Sequence, residues 1–252
     1  MPHSDTPRFD PRDIFTALGL LSRLPIPGDD ARGAASAWAW PLAGLAVALP
    51  AALIAGTALH LGLSGGAAAG LALLAQCVLT GALHEDGLAD SADGFWGGWE
   101  KPRRLEIMKD SHIGTYGVLA LILITLLRWQ ALASLFSAGH VLVPLLIAAA
   151  LSRAPMAVVM AALPNARGTG LSQSVGQPPR QTALAACILA LAIAVVLAGF
   201  GGALTAVPVA LTTLAVMAIA RAKIGGQTGD VLGATQQLTD CAALLVLSVG
   251  LG

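Results

Sequence analysis

LHEDGLADSADGFWGGWEKPRRLEIMKDSHIGTYG, residues 83–117, carries seven of the fourteen acidic residues of the chain: Glu85, Asp86, Asp90, Asp93, Glu100, Glu106 and Asp110. Its surroundings are almost entirely Ala, Leu, Gly and Val. The 252 residues are 56% hydrophobic and only 11% charged, with a mean hydropathy of +0.76. Soluble domains carry roughly 25% charged residues, so this composition is that of an integral membrane protein. A dense acidic patch between apolar helices is costly unless something positive neutralises it.

Outward from the patch, apolar segments lie at about 36–60, 66–84, 115–136, 140–162, 182–201, 203–221 and 234–251. Each is near the roughly 20 residues that a span requires. The expected fold is therefore all-α: a polytopic membrane helix bundle of about seven transmembrane helices. Thirteen of the fourteen Lys and Arg fall on alternate connections, and the other connections have none. The positive-inside rule then puts the N-terminus and the acidic stretch on the cytoplasmic side. Residues 11–24 place Ile14, Phe15, Leu18 and Leu21 near one face, which suits an amphipathic helix lying at the membrane surface. The expected division is 1–35 as cytoplasmic tail and interfacial helix, and 36–252 as a single transmembrane catalytic domain. Cys77, Cys187 and Cys241 have no motif spacing and read as small hydrophobes. Arg128, near the middle of its span, is the exception to this alternation, and Asp240 in the last span is its expected partner.

Asp86, Asp90 and Asp93 stand at i, i+4 and i+7. If the second span continues through them as one helix, they share a face. They would then lie near its C-terminal end, where the helix dipole disfavours them. A divalent cation resolves the repulsion. Carboxylates without Cys or a His pair favour Mg2+ or Mn2+ over zinc. His84 and His112 read as structural rather than as ligands. Gly87, Ala89, Ala92 and Gly94 leave room for a polyphosphate beside the helix. The basic residues Lys101, Arg103, Arg104 and Lys109 follow. Two more polar islands fall on the same side: Ser152-Arg153 with 164–172, and 223–235. Together they describe a cytoplasm-facing, metal-dependent site for an anionic substrate. Transport of a cation or metabolite is the competing class, but it expects acids at mid-membrane on several spans.

His84-Glu85-Asp86-Gly87-Leu88-Ala89-Asp90-Ser91-Ala92-Asp93-Gly94, followed by residues 104–117, resembles the signature of the cobalamin synthase (adenosylcobinamide-GDP ribazoletransferase) family. Residues 22–27, 151–154 and 226–234 fit in order, so the resemblance covers nearly the whole chain. It implies a membrane transferase in the bacterial inner membrane that joins adenosylcobinamide-GDP and α-ribazole, or its 5′-phosphate, with loss of GMP. It implies Mg2+ (or Mn2+) as cofactor. On that reading Asp86, Asp90 and Asp93 hold the metal and act in catalysis with Asp110. Arg104, Lys109, Arg153, Arg167, Gly229 and Asp230 bind substrate. Partners are then the two substrates and the bilayer, without nucleic acid, and assembly as a homo-oligomer stays open. A CDP-alcohol phosphotransferase acting on lipid is the enzyme alternative, since the spaced aspartates resemble that motif too.

Overall fold

The computed structural model describes residues 9–26 and 30–251. Residues 1–8, 27–29 and 252 lie outside the described residues, and with them Arg8 and most of the expected tail. Every regular element among the described residues is helical. In order they are α1 (Asp13–Leu21), α2 (Trp40–His60), α3 (Gly65–Thr80), α4 (Leu83–Gly97), α5 (Lys101–Ile107), α6 (Thr115–Ser137), α7 (Leu142–Ala162), α8 (Leu171–Val175), α9 (Arg180–Ile224) and α10 (Gly229–Leu251). Two short 3-10 turns, Asp30–Arg32 and Ala35–Ala39, lead into α2.

Five helices are long and apolar enough to cross a membrane, and the bent pair α3–α4 makes a sixth. α9 is 45 residues long but is broken at Ala198 and Gly199. A methyl on Gly202 would strike the Ala194 carbonyl, so the chain doubles back there. The two arms, 180–197 and 200–224, match the spans expected at 182–201 and 203–221. With each arm counted separately, seven apolar segments stand where seven were expected, of which five helices, or six with the bent pair, qualify to cross by length and composition.

α7 lies at the centre. From Pro144 to Met160 every residue except Val158 is buried, as expected for a helix that is apolar on all sides. α2, α9 and α10 pack around it. Small residues let backbones approach closely. Gly44 of α2 sits against the Ala149 carbonyl of α7, and Gly65 and Gly66 of α3 sit against Ser137 and Trp129 of α6.

The second span does not run on through the acids. Gly81 and Ala82 both adopt left-handed backbone angles, at φ 64° and 57°. The Ala82 amide bonds back to the Cys77 carbonyl, which closes the end of α3. The axis then turns 89° into α4. Ala82 is the one non-glycine described residue with positive φ, a conformation that costs roughly 1–2 kcal/mol for an L-residue. The straight-helix expectation is therefore corrected: the acids open a new helix lying across the bundle. Glu85 and Asp86 occupy its first turn, where the dipole favours negative charge. The dipole argument drawn from sequence thus has the opposite sign.

α1 forms near the expected place. Asp13 is fully buried and takes Arg32 at 2.6 and 2.8 Å and the Trp38 indole N–H at 2.8 Å. Burial alone would raise the Asp13 carboxyl, but these donors and the Asp10 amide hold it below its usual range. The clamp ties α1 to the entry of α2, so Leu20 and Leu21 reach the cleft described next. α1 therefore shares one core with the bundle.

Candidate active site

The cleft opens where α4, the start of α10, the 164–172 loop, α1, the N-terminal end of α2 and the C-terminal end of α7 meet. Two polar segments far apart in sequence form one wall. The Ala166 amide donates to the Gln227 carbonyl, and the Gln227 amide to the Pro164 carbonyl, both at 2.8 Å. Asn165 Oδ1 accepts from the amides of Arg167 and Gly168, at 3.0 and 2.7 Å, which shapes the loop. This pairing brings Arg167 Nη2 to 2.7 Å from Asp230 Oδ2. Thr228 Oγ1 donates to the same oxygen at 3.2 Å.

α4 forms the opposite wall. Gly87 and Gly233 lie backbone to backbone, and a methyl on Gly87 would meet Asp230 main-chain atoms. Gly94 is likewise filled by Met108. These glycines serve helix packing, not the polyphosphate approach expected from sequence. The close crossing sets Asp86 beside Gly229 and Asp230 in the cleft. Asp86 is exposed into it and Asp90 is half-buried. Neither carboxylate has a hydrogen bond among the described residues. The charges acting on Asp90 are Asp230, Asp86, Asp93 and, opposing them, Arg167.

Asp93 behaves differently. Its two oxygens accept from the amides of Gly114 and Gly117, at 2.7 and 2.9 Å. Gly114 is the N-cap of α6 and has no side chain to cap with, so a carboxylate from α4 supplies the missing acceptor. This departs from the expectation of three aspartates presented together. Asp93→Ala should lower thermal stability by about 1–2 kcal/mol through the lost cap. Thermal unfolding followed by circular dichroism checks this, and an unchanged midpoint would contradict the cap.

Other expected residues fall outside the cleft. Asp110 is exposed and accepts from the His112 ring at 2.7 Å and the His112 amide at 3.1 Å. These bonds hold the Asp110 carboxyl below its usual range and raise the His112 imidazole. Lys109 is exposed. Arg104 donates to the carbonyls of Gly98 and Lys223, at 3.0 and 2.9 Å, which ties α5 to the C-terminus of α9. Arg153 is buried in α7, and its Nη1 donates to the Ala149 carbonyl at 3.1 Å. Of the substrate-binding residues expected from sequence, Arg167, Gly229 and Asp230 line the cleft.

Below the cleft lies a buried polar network. Arg128 Nε meets Asp240 Oδ2 at 2.9 Å, the pairing expected from sequence. Its Nη1 donates to Gln237 at 2.6 Å and its Nη2 to Gln76 at 2.9 Å. Glu85 joins through Gln237 at 3.0 Å. Sequence reading left Glu85 without a role. The signal available was the polar run Gln236-Gln237 one turn before Asp240 in an apolar span.

The cobalamin-5-phosphate synthase family model matches residues 13–248. The adenosylcobinamide-GDP ribazoletransferase of Mesorhizobium japonicum is 46% identical over 95% of this chain and 93% of its own. That of Bradyrhizobium diazoefficiens is 44% identical over 98% and 96%. That of Azorhizobium caulinodans is 45% identical over 92% and 94%. No solved structure gives a significant match. With a match from α1 into the last turn of α10, the chain belongs to the cobalamin-5-phosphate synthase family.

Proposed function

We infer that this membrane protein joins adenosylcobinamide-GDP to α-ribazole, or its 5′-phosphate, in the last assembly step of cobalamin. The observation that carries the site reading is the juxtaposition of unpaired Asp86 with the Arg167–Asp230 pair across one cleft, with unpaired Asp90 one turn further along α4 and within reach of the same charges. The ribose hydroxyl oxygen bonds to the cobinamide-side phosphorus, and the bond from that phosphorus to the GMP oxygen breaks. The hydroxyl proton passes to a carboxylate, either Asp86 or Asp90. Arg167, held in place by Asp230 and Asn165, offers its guanidinium to phosphate oxygens.

Among the described residues, no three acidic, imidazole or thiol groups converge into a ready-made metal cage. Mg2+ does not require one, because it is usually held by one or two carboxylates plus substrate phosphates and water. Asp86 and Asp90, with oxygens that no protein donor uses, fit that role, whereas Asp93 is engaged as a cap. When bound there, Mg2+ would neutralise charge on the pyrophosphate and the leaving GMP. The alternate-loop charge pattern supports a cytoplasmic opening in an inner membrane.

Purified protein in detergent should release GMP from adenosylcobinamide-GDP when α-ribazole and Mg2+ are present, and a chelator should stop it. No GMP under these conditions, or release of CMP from a CDP-lipid instead, would overturn this reading.

A further inference from the structure

A second concavity lies across α4 from the cleft. Asp86 lines the cleft, whereas Leu88 and Phe95 of the same helix line this groove. Tyr116 and Ala120, in the first two turns of α6, form one bank. Val216 and Ile219, in the last three turns of α9, form the other. α6 and α9 each pack on α10, which is the floor between them. The groove holds about 280 Å³, and no charged side chain lines it. Trp96, Tyr116 and Ile219 are 50%, 46% and 36% exposed, so it opens at the surface of the bundle.

One end of this groove is cationic. Val216, Ile219 and Lys223 recur at three and four residues and share one face of α9. Lys223 Nζ stands 4.7 Å from the centroid of the Trp96 ring, which lines the groove. Lys101 Nζ lies against Gly225, two residues further on. Neither ammonium is paired with a carboxylate among the described residues. The dipole of α9 accounts for cations at its C-terminus. It does not account for an open apolar groove that leads up to them.

We propose that this groove seats one anionic phospholipid, with an acyl chain between α6 and α9 and the headgroup phosphate at Lys101 and Lys223. The proposal is independent of the reaction inferred above. An amphiphile with a negative head matches both halves of the site, the uncharged banks and the unpaired ammoniums. Trp96 and Tyr116 mark the level where acyl chains meet headgroups. A zwitterionic lipid brings its own ammonium to the same rim and gains less there. A second copy docked about a two-fold axis would bring the same patch, and two more lysines, to this end.

The test uses the full chain in a neutral detergent, titrated with phosphatidylglycerol or with phosphatidylcholine of the same acyl chains. Native mass spectrometry counts the lipids retained per chain. The first phosphatidylglycerol should bind about 25-fold more tightly than the first phosphatidylcholine, roughly fivefold for each interfacial lysine. Lys101→Gln combined with Lys223→Gln should bring that ratio close to one while the Kd for phosphatidylcholine holds. Lys101 is exposed and Lys223 half-buried, so this variant leaves the core intact. Ala120→Trp, which fills the groove, should remove the tight site for both lipids. Equal affinities in wild type, or a preference that survives in the double lysine variant, would overturn the assignment. So would displacement of phosphatidylglycerol by millimolar inorganic phosphate, which marks a site for free anions. A dimer that retains no lipid and that Ala120→Trp dissociates would overturn it too.

Discussion

Asp86→Asn should lower kcat/KM for GMP release by about 10²- to 10³-fold, the scale for removing one preorganised charge from a reacting centre. The substitution conserves shape and removes only the charge. Asp86 is exposed into the cleft and has no protein partner among the described residues. Its loss therefore leaves no buried donor unsatisfied, and the unfolding midpoint should stay put. Asp90→Asn should fall in the same range. Asp93→Asn is the informative contrast, because that side chain caps α6. Asp93→Asn keeps one carbonyl oxygen for the cap and should leave the Mg2+ concentration for half-maximal rate unchanged, whereas Asp86→Asn should raise it. Steady-state kinetics across a Mg2+ titration measures all three. Equal Mg2+ dependence in wild type and Asp86→Asn would remove Asp86 from the metal site.

Arg128→Met should destabilise the protein by about 3–5 kcal/mol, the cost of breaking a buried ion pair by removing one partner. Arg128 and Asp240 are 4% and 5% exposed. Single hydrogen bonds between membrane helices contribute only about 0.6 kcal/mol on average, so bond count does not set this figure. What sets it is the charge left behind. Without Arg128, Asp240 remains buried and Glu85 partly buried, with Arg153 as the nearby cation. Asp240→Asn should cost less, because Arg128 still has Gln237, Gln76 and, at 3.8 Å, Glu85. The double variant Arg128→Met, Asp240→Leu should recover part of the loss, since an apolar pair of similar volume removes both desolvation costs. Chemical unfolding in detergent reads all three. A harmless Arg128→Met would show that the network is open to water.

The same network bears on the site. Glu85 precedes Asp86 in α4 and bonds Gln237 of α10, so it fixes the rotation of the helix that presents Asp86. Sequence reading left Glu85 without a role. The partner lies 152 positions away, and no periodicity reports a contact at that distance.

Local patterns told other parts well. The seven apolar segments, the polar breaks and the alternating cations are properties of consecutive residues, so hydropathy reads them directly. The i, i+4, i+7 spacing also put Asp86, Asp90 and Asp93 on one helical face, and the structure keeps them on one helix. The error concerned where that helix begins. Nothing marks Ala82 as left-handed in the sequence, because its angle is imposed by the packing around Gly81, where Arg23 fills the space that a side chain would need.

By itself the sequence determined the membrane class, the apolar segments, the Arg128–Asp240 pairing and the position of the acidic segment. These follow from hydrophobic transfer and charge cost summed along the chain. Only the tertiary structure decided which acids are free. The 89° turn and the Gly87–Gly233 crossing direct Asp86 into a cleft with Arg167 and Asp230. The amides of α6 engage Asp93 instead. A carboxylate's role depends on which donors reach it, and those donors come from elements that meet only when the bundle closes.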